Sequence, residues 1–151
     1  MIIVLILAAS TGLFRALGAA GFESFANWQA AAGGGLSVML LFTAAAHFNR
    51  MRPELVAMVP PSFPRPDLAV SLTGVLEVLA AAGILVPQTR RLAGLGLILL
   101  LAALLPANVS AARRGLTLGG KPVTPLSIRI PMQLAFIALA WWTTQTAEAV
   151  S

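Results

Sequence analysis

Glu77 lies ten residues into an apolar run that extends from Asp67 to Val86. A helix rises 1.5 Å per residue, so the carboxyl would sit about 15 Å from Asp67, near the midplane of a hydrocarbon core about 30 Å thick. An ionisable group is costly there and must face protein or water and find a partner. The chemistry it could do is proton transfer to or from an apolar ligand beside it. The structural alternatives are a protonated carboxyl hydrogen-bonded inside a bundle, or an ion pair with Arg129.

Five further polar residues fall within or at the ends of apolar segments: His47, Thr73, Asn108, Arg129 and Gln133. Thr73 and Glu77 are four apart, as are Arg129 and Gln133, so each pair shares one helix face. Together they would line a polar pocket open at one end of the bundle, with Glu77 at its deep end. In that pocket Glu77 and His47 would be the catalytic pair, and Thr73, Asn108, Arg129 and Gln133 would hold the ligand. Each has a plainer reading. His47 could be an interfacial anchor, Asn108 could serve carbonyls freed by a kink at Pro106, Arg129 could snorkel to headgroups, and Gln133 could join two helices. One histidine is too little for haem, and one histidine with one carboxylate too little for a metal site, so no metal is assigned.

These residues need elements that can hold them inside a membrane. Of 151 residues, 58% are hydrophobic and 10% charged, with a mean hydropathy of +0.89. The apolar residues come in long runs rather than helical stripes, which points to an integral membrane protein. The net charge of +5 sits in short loops, where it orients the chain and meets the lipid bilayer. Without interleaved aromatics or any Tyr, it does not suggest nucleic acid. The absence of cysteine excludes disulfides, thiolate nucleophiles and iron-sulfur clusters, so a redox role would need a bound cofactor or substrate. A cleaved signal peptide is not expected, because the start lacks a basic n-region.

The expected fold is all-α, a polytopic transmembrane helix bundle forming a single domain over 1–151. Five spans are expected, or four if the first segment lies along the surface. Segment one covers 2–20. Segment two opens at Gly33-Gly34-Gly35 and continues to His47-Phe48-Asn49-Arg50. The proline-rich stretch 51–66 reads as an interfacial connector that is not helical over most of its length. Segment three is the Glu77 helix, segment four covers 92–112 with a kink from Pro106, and segment five covers 128–146. Glycines 74, 83, 94 and 96 read as packing positions.

With five spans, Arg50, Arg52, Arg65, Arg113, Arg114, Lys121 and Arg129 fall on one side. Arg90, Arg91 and at most Arg15 fall on the other, together with Trp28, Trp141 and Trp142. The positive-inside rule then places the N-terminus in the cytoplasm and the C-terminus outside.

Thr43-Ala-Ala-Ala-His-Phe48, Met58-Val-Pro-Pro61 with Phe63-Pro64, Thr73-Gly74 with Glu77, Pro106-Ala-Asn108, and Arg129 followed by Pro131 and Gln133 resemble, in order, the DoxX-like family of small bacterial membrane proteins. The resemblance implies a compact bundle in the bacterial inner membrane and an association with redox complexes, one member being a subunit of a thiosulfate:quinone oxidoreductase. Three functions follow as expectations. The first is a quinone- or isoprenoid-binding subunit of an oxidoreductase system, with a partner redox subunit. The second is a stand-alone acid-base enzyme, an isomerase or hydrolase, on an apolar substrate. The third is a non-catalytic anchor or assembly factor.

Overall fold

The computed structural model describes residues 2–145 and contains six helices: α1 (Ile2–Ala19), α2 (Trp28–Ala46), α3 (Arg52–Met58), α4 (Pro66–Leu85), α5 (Arg90–Arg113) and α6 (Leu126–Thr144). All but the seven-residue α3 are long and apolar enough to cross a membrane. The fold is an all-α, polytopic transmembrane helix bundle. The strand among the described residues is a hairpin, β1 (Thr117–Leu118) and β2 (Lys121–Pro122), between α5 and α6. Its turn holds Gly119 and Gly120 at φ of 62° and 72°, the left-handed pair that a two-residue hairpin loop requires. The end expected for segment five at Thr146, and the tail 147–151, lie outside the described residues.

Helices α2, α4, α5 and α6 pack in a ring, each touching the next and α6 closing on α2, while α1 lies along the outside of α2. The core of the ring is apolar: Leu36, Met39 and Leu40 from α2, Ala80, Ala81 and Ile84 from α4, Leu97 from α5, and Phe136 and Ala140 from α6. Its outer surface is apolar as well, with Leu92 75% and Leu99 72% exposed. A water-soluble bundle would place polar residues on that surface, whereas lipid accepts leucine there.

One expectation about the elements is corrected. α2 begins at Trp28, not at the glycine triplet, because the Asn27 side chain accepts from the Ala30 N–H at 2.8 Å and caps the helix there. The glycines lie buried inside α2, and a Cβ on Gly34 or Gly35 would collide with Phe14 or Thr11 of α1. α1 thus runs antiparallel against α2, with Ser10 Oγ donating to the Gly35 carbonyl at 3.3 Å and Arg15 stacked over Trp28; it is part of the bundle rather than a separate surface segment.

The proline-rich connector is non-helical over 59–65, in line with expectation, and carries one short helix before that. Residues 52–58 are helical, since Pro53 occupies the first turn, where a missing N–H costs nothing. Arg52 fastens α3 beneath α2, donating to the His47 carbonyl at 3.0 Å and to Asp67 O and Ser71 Oγ of α4 at 3.1 and 2.9 Å. Arg114 donates to the Ala57, Met58 and Val59 carbonyls and so closes the other end of α3. Glu54 of α3 accepts from the Gly119 N–H at 2.6 Å, which ties the hairpin to the same end.

The two ends of the bundle therefore differ. One carries Arg50, Arg52, Arg65, Arg113, Arg114 and Lys121 and is the basic end. The other gathers Trp28, Trp141 and Trp142, with Gln29 of α2 donating to the Trp142 carbonyl at 2.6 Å.

Candidate polar site inside the bundle

Glu77 meets the last turn of α2. Its Oε2 accepts from Thr43 Oγ1 at 2.7 Å, and the residue is 7% exposed. The other oxygen, Oε1, has no hydrogen-bond partner among the described residues and is not fully enclosed. Thr43 Oγ1 also lies 3.0 Å from the Leu40 carbonyl. A hydroxyl has one proton and two lone pairs. It can therefore donate to an ionised Glu77, or accept from a protonated one while donating to Leu40. The pair holds either protonation state of the carboxyl without moving a backbone atom.

Thr43 lies four residues before His47, which caps the C-terminus of α2, and Gly74 and Glu77 are three apart on α4, so the four form one contact between the two helices. A Cβ on Gly74 would lie 2.7 Å from His47 Cβ, so the missing side chain is what lets the histidine, 8% exposed, seat against α4. His47 Nδ1 is 3.2 Å from the Thr43 carbonyl. A carbonyl only accepts, so Nδ1 carries the proton and Nε2 is left as the acceptor. His47 lies just beyond the last turn of α2, and burial holds its imidazole below the ordinary histidine range. Gly74→Ala is expected to displace His47 and destabilise the protein by about 1–3 kcal/mol, as overpacking does, read as a lower thermal midpoint. An unchanged midpoint would mean the α2–α4 contact yields easily there.

The second polar group joins α5 to α6. Arg129 Nη1 donates to Asn108 Oδ1 at 2.7 Å, and Asn108 Nδ2 donates to Gln133 Oε1 at 3.4 Å. Gln133, 8% exposed, donates from Nε2 to the Leu101 carbonyl. That carbonyl neighbours Ala102, whose usual helical donor is the N–H that Pro106 lacks. The usual helical donor to Leu101 itself, the Leu105 N–H, is present, so the Gln133 bond joins α6 to α5, and Asn108 donates to no backbone carbonyl among the described residues.

Further expectations change here. Thr73 donates to the Val70 carbonyl of its own helix at 3.0 Å and is not a partner of Glu77. The threonine that serves the carboxylate is Thr43, and its signal in the sequence was its four-residue spacing from His47. Arg129 pairs with Asn108 and forms no ion pair with Glu77 among the described residues. The two groups are also not bonded to each other. Register places them at one level: Gly33 lies beside both Ile84 and Thr143, and from there Thr43 and Gln133 are each about 15 Å along α2 and α6, with Glu77 about 10 Å along α4. Neither of the two cavities described in the structure is lined by Glu77 or His47.

The profile of the family described as "Domain of unknown function (DUF8561)" matches residues 36–144. The chain belongs to the DUF8561 family. In this DUF8561 protein the match takes in Thr43, His47, Thr73, Glu77, Asn108, Arg129 and Gln133, and leaves out α1 and the start of α2. The family match thus covers the polar layer of the ring but not the helix outside it. No curated protein and no solved structure matches the chain.

Proposed function

We propose that this DUF8561 protein is a bacterial inner-membrane protein, akin to the DoxX-like proteins, that binds a quinone or isoprenoid as a subunit of an oxidoreductase system. The observation that carries the reading is the Glu77–Thr43 pair, a carboxyl with one oxygen held by a reversible hydroxyl donor and one left open, inside an apolar bundle. A quinone oxygen approaching Oε1 would exchange a proton with the carboxyl, while Thr43 turns to match the new protonation state. His47 Nε2 offers a second acceptor one turn away, and Asn108, Gln133 and Arg129 supply donors and acceptors on the facing helices. The orientation we assign is N-terminus in the cytoplasm and C-terminus outside, on the strength of the basic end and the tryptophan end.

The reading is tested with the purified protein in nanodiscs, titrated with a short-chain quinone while tryptophan fluorescence is followed. Saturable quenching is expected, weakened about tenfold or more, a 1.4 kcal/mol effect, by Glu77→Gln. Equal quenching by both proteins would contradict it.

The stand-alone enzyme keeps one supporting observation, that a single α2–α4 contact presents both Glu77 and His47. Activity of the purified chain on an apolar substrate, without a partner, would favour it. For the anchor reading the structure offers less surface than the glycine count suggests. A Cβ on Gly18, Gly34, Gly35, Gly74, Gly83 or Gly94 would strike this chain's own atoms, whereas Gly12 and Gly96 face open space.

A further inference from the structure

We propose that the tryptophan end of the bundle encloses a binding site for a small organic acid, a carboxylate carried on a short apolar body. A cavity of about 240 Å³ lies there, lined by Ser24, Gln29, Gly33, Ile84, Arg90 and Thr143 among others. This is below the range of about 300–1,000 Å³ that takes drug-sized ligands, so its occupant is small. It is separate from the Glu77 site, since Gly33 and Thr43 are about 15 Å apart along α2.

Gly33 is the first indication. In a helix interior glycine costs about 1 kcal/mol relative to alanine, and such a residue usually has a reason. For Gly34 and Gly35 the reason is α1, whose Phe14 and Thr11 occupy the place of a side chain. Gly33 has no such neighbour: a Cβ there would lie 3.5 Å from Ile84 Cγ2 and 3.9 Å from Thr143 Cβ, which is ordinary contact, and its backbone is helical. Packing and conformation both permit alanine. What the absent methyl leaves open is the cavity.

The polar lining fixes the charge of the occupant. Arg90 Nε donates to the Ile84 carbonyl at 2.9 Å, which orients the guanidinium, and its Nη donors have no partner among the described residues. No carboxylate pairs with it among the described residues. The Ser24 hydroxyl has no partner among the described residues, and the first turn of α2 contributes Gln29 and Ala30 to the lining. Gln29 Nε2 is committed to the Trp142 and Gln145 carbonyls at 2.6 and 2.8 Å, so the amide is held in place. A guanidinium and a serine hydroxyl lining one cavity suit an oxyanion, and Phe25, Ile84 and Leu85 suit a hydrocarbon body. The same donors could take inorganic phosphate, which has no such body.

The test uses the full-length protein in phosphatidylcholine nanodiscs, titrated calorimetrically with butyrate and, separately, with inorganic phosphate. Saturable butyrate binding is expected, weakened about tenfold or more by Arg90→Gln. Gly33→Ala should weaken it too while raising the thermal midpoint, a combination that misfolding cannot produce. Butyrate binding that is absent, or that is unchanged in both variants, would overturn the proposal. So would saturation by phosphate alone, which would leave the apolar lining without a role.

Discussion

Glu77→Gln is expected to fold as the wild type does and to lose proton exchange with its ligand. The amide keeps the volume of the side chain and an oxygen that can accept from Thr43 Oγ1, so the 2.7 Å contact survives. What it cannot do is gain or lose a proton at Oε1. A positioned acid or base contributes about 10²–10⁴-fold to a rate, and a loss of that size is expected in any proton-coupled turnover the protein supports in membranes. Infrared difference spectra taken across a pH step give an independent readout, because a titrating carboxyl band assigned to Glu77 should vanish in the variant. Thr43→Val is the companion. It removes the donor to Oε2, at a cost of about 1–3 kcal/mol in stability, but leaves the proton site, so its band should shift rather than disappear. A wild-type rate in Glu77→Gln would return the carboxyl to a purely structural role.

Gly35→Ala is expected to lift α1 from α2. Its Cβ would collide with Thr11 Oγ1 and lie 2.9 Å from Thr11 N and 3.1 Å from Leu7 O. A side chain can rotate away, but the backbone of α1 can only retreat as a unit. Overpacking costs about 1–3 kcal/mol, against about 1 kcal/mol gained in helix propensity, and the lost α1 packing adds to the deficit. Because the chain has no cysteine, Ser10→Cys supplies a single thiol at a position 9% exposed. Its maleimide labelling should be slow in an otherwise wild-type background and fast beside Gly35→Ala. Slow labelling in both would show that α1 accommodates the methyl by sliding.

The fold was legible because apolar run length has a single meaning in a membrane. Each of the five spans appears within a few residues of its expected place, except the start of α2. There the glycine triplet read as a weak helix opening, since a sequence does not show that α1 fills the missing side chains. The cap at Asn27 was the signal, and it was overshadowed by Gly33-Gly34-Gly35. Within the site, spacing along one helix put Thr73 on one face with Glu77 but did not show the partner of the carboxyl. The actual partner, Thr43, lies 34 residues away, and pairing across helices depends on a register that one chain's periodicity does not contain. The same limit separated Arg129 from Glu77 and placed Asn108 between Arg129 and Gln133 instead of on a carbonyl of its own helix. The cavity at the tryptophan end left no motif, because it is made of a missing methyl, one arginine and the meeting of four helix ends.

The most direct measurement is mass spectrometry of organic extracts from the purified protein, wild type beside Glu77→Gln, with both checked for folding. A quinone or other isoprenoid retained by the wild type and lost from the variant is the predicted result, and it would name the ligand to assay. The same lipid background in both proteins would contradict a ligand site at Glu77.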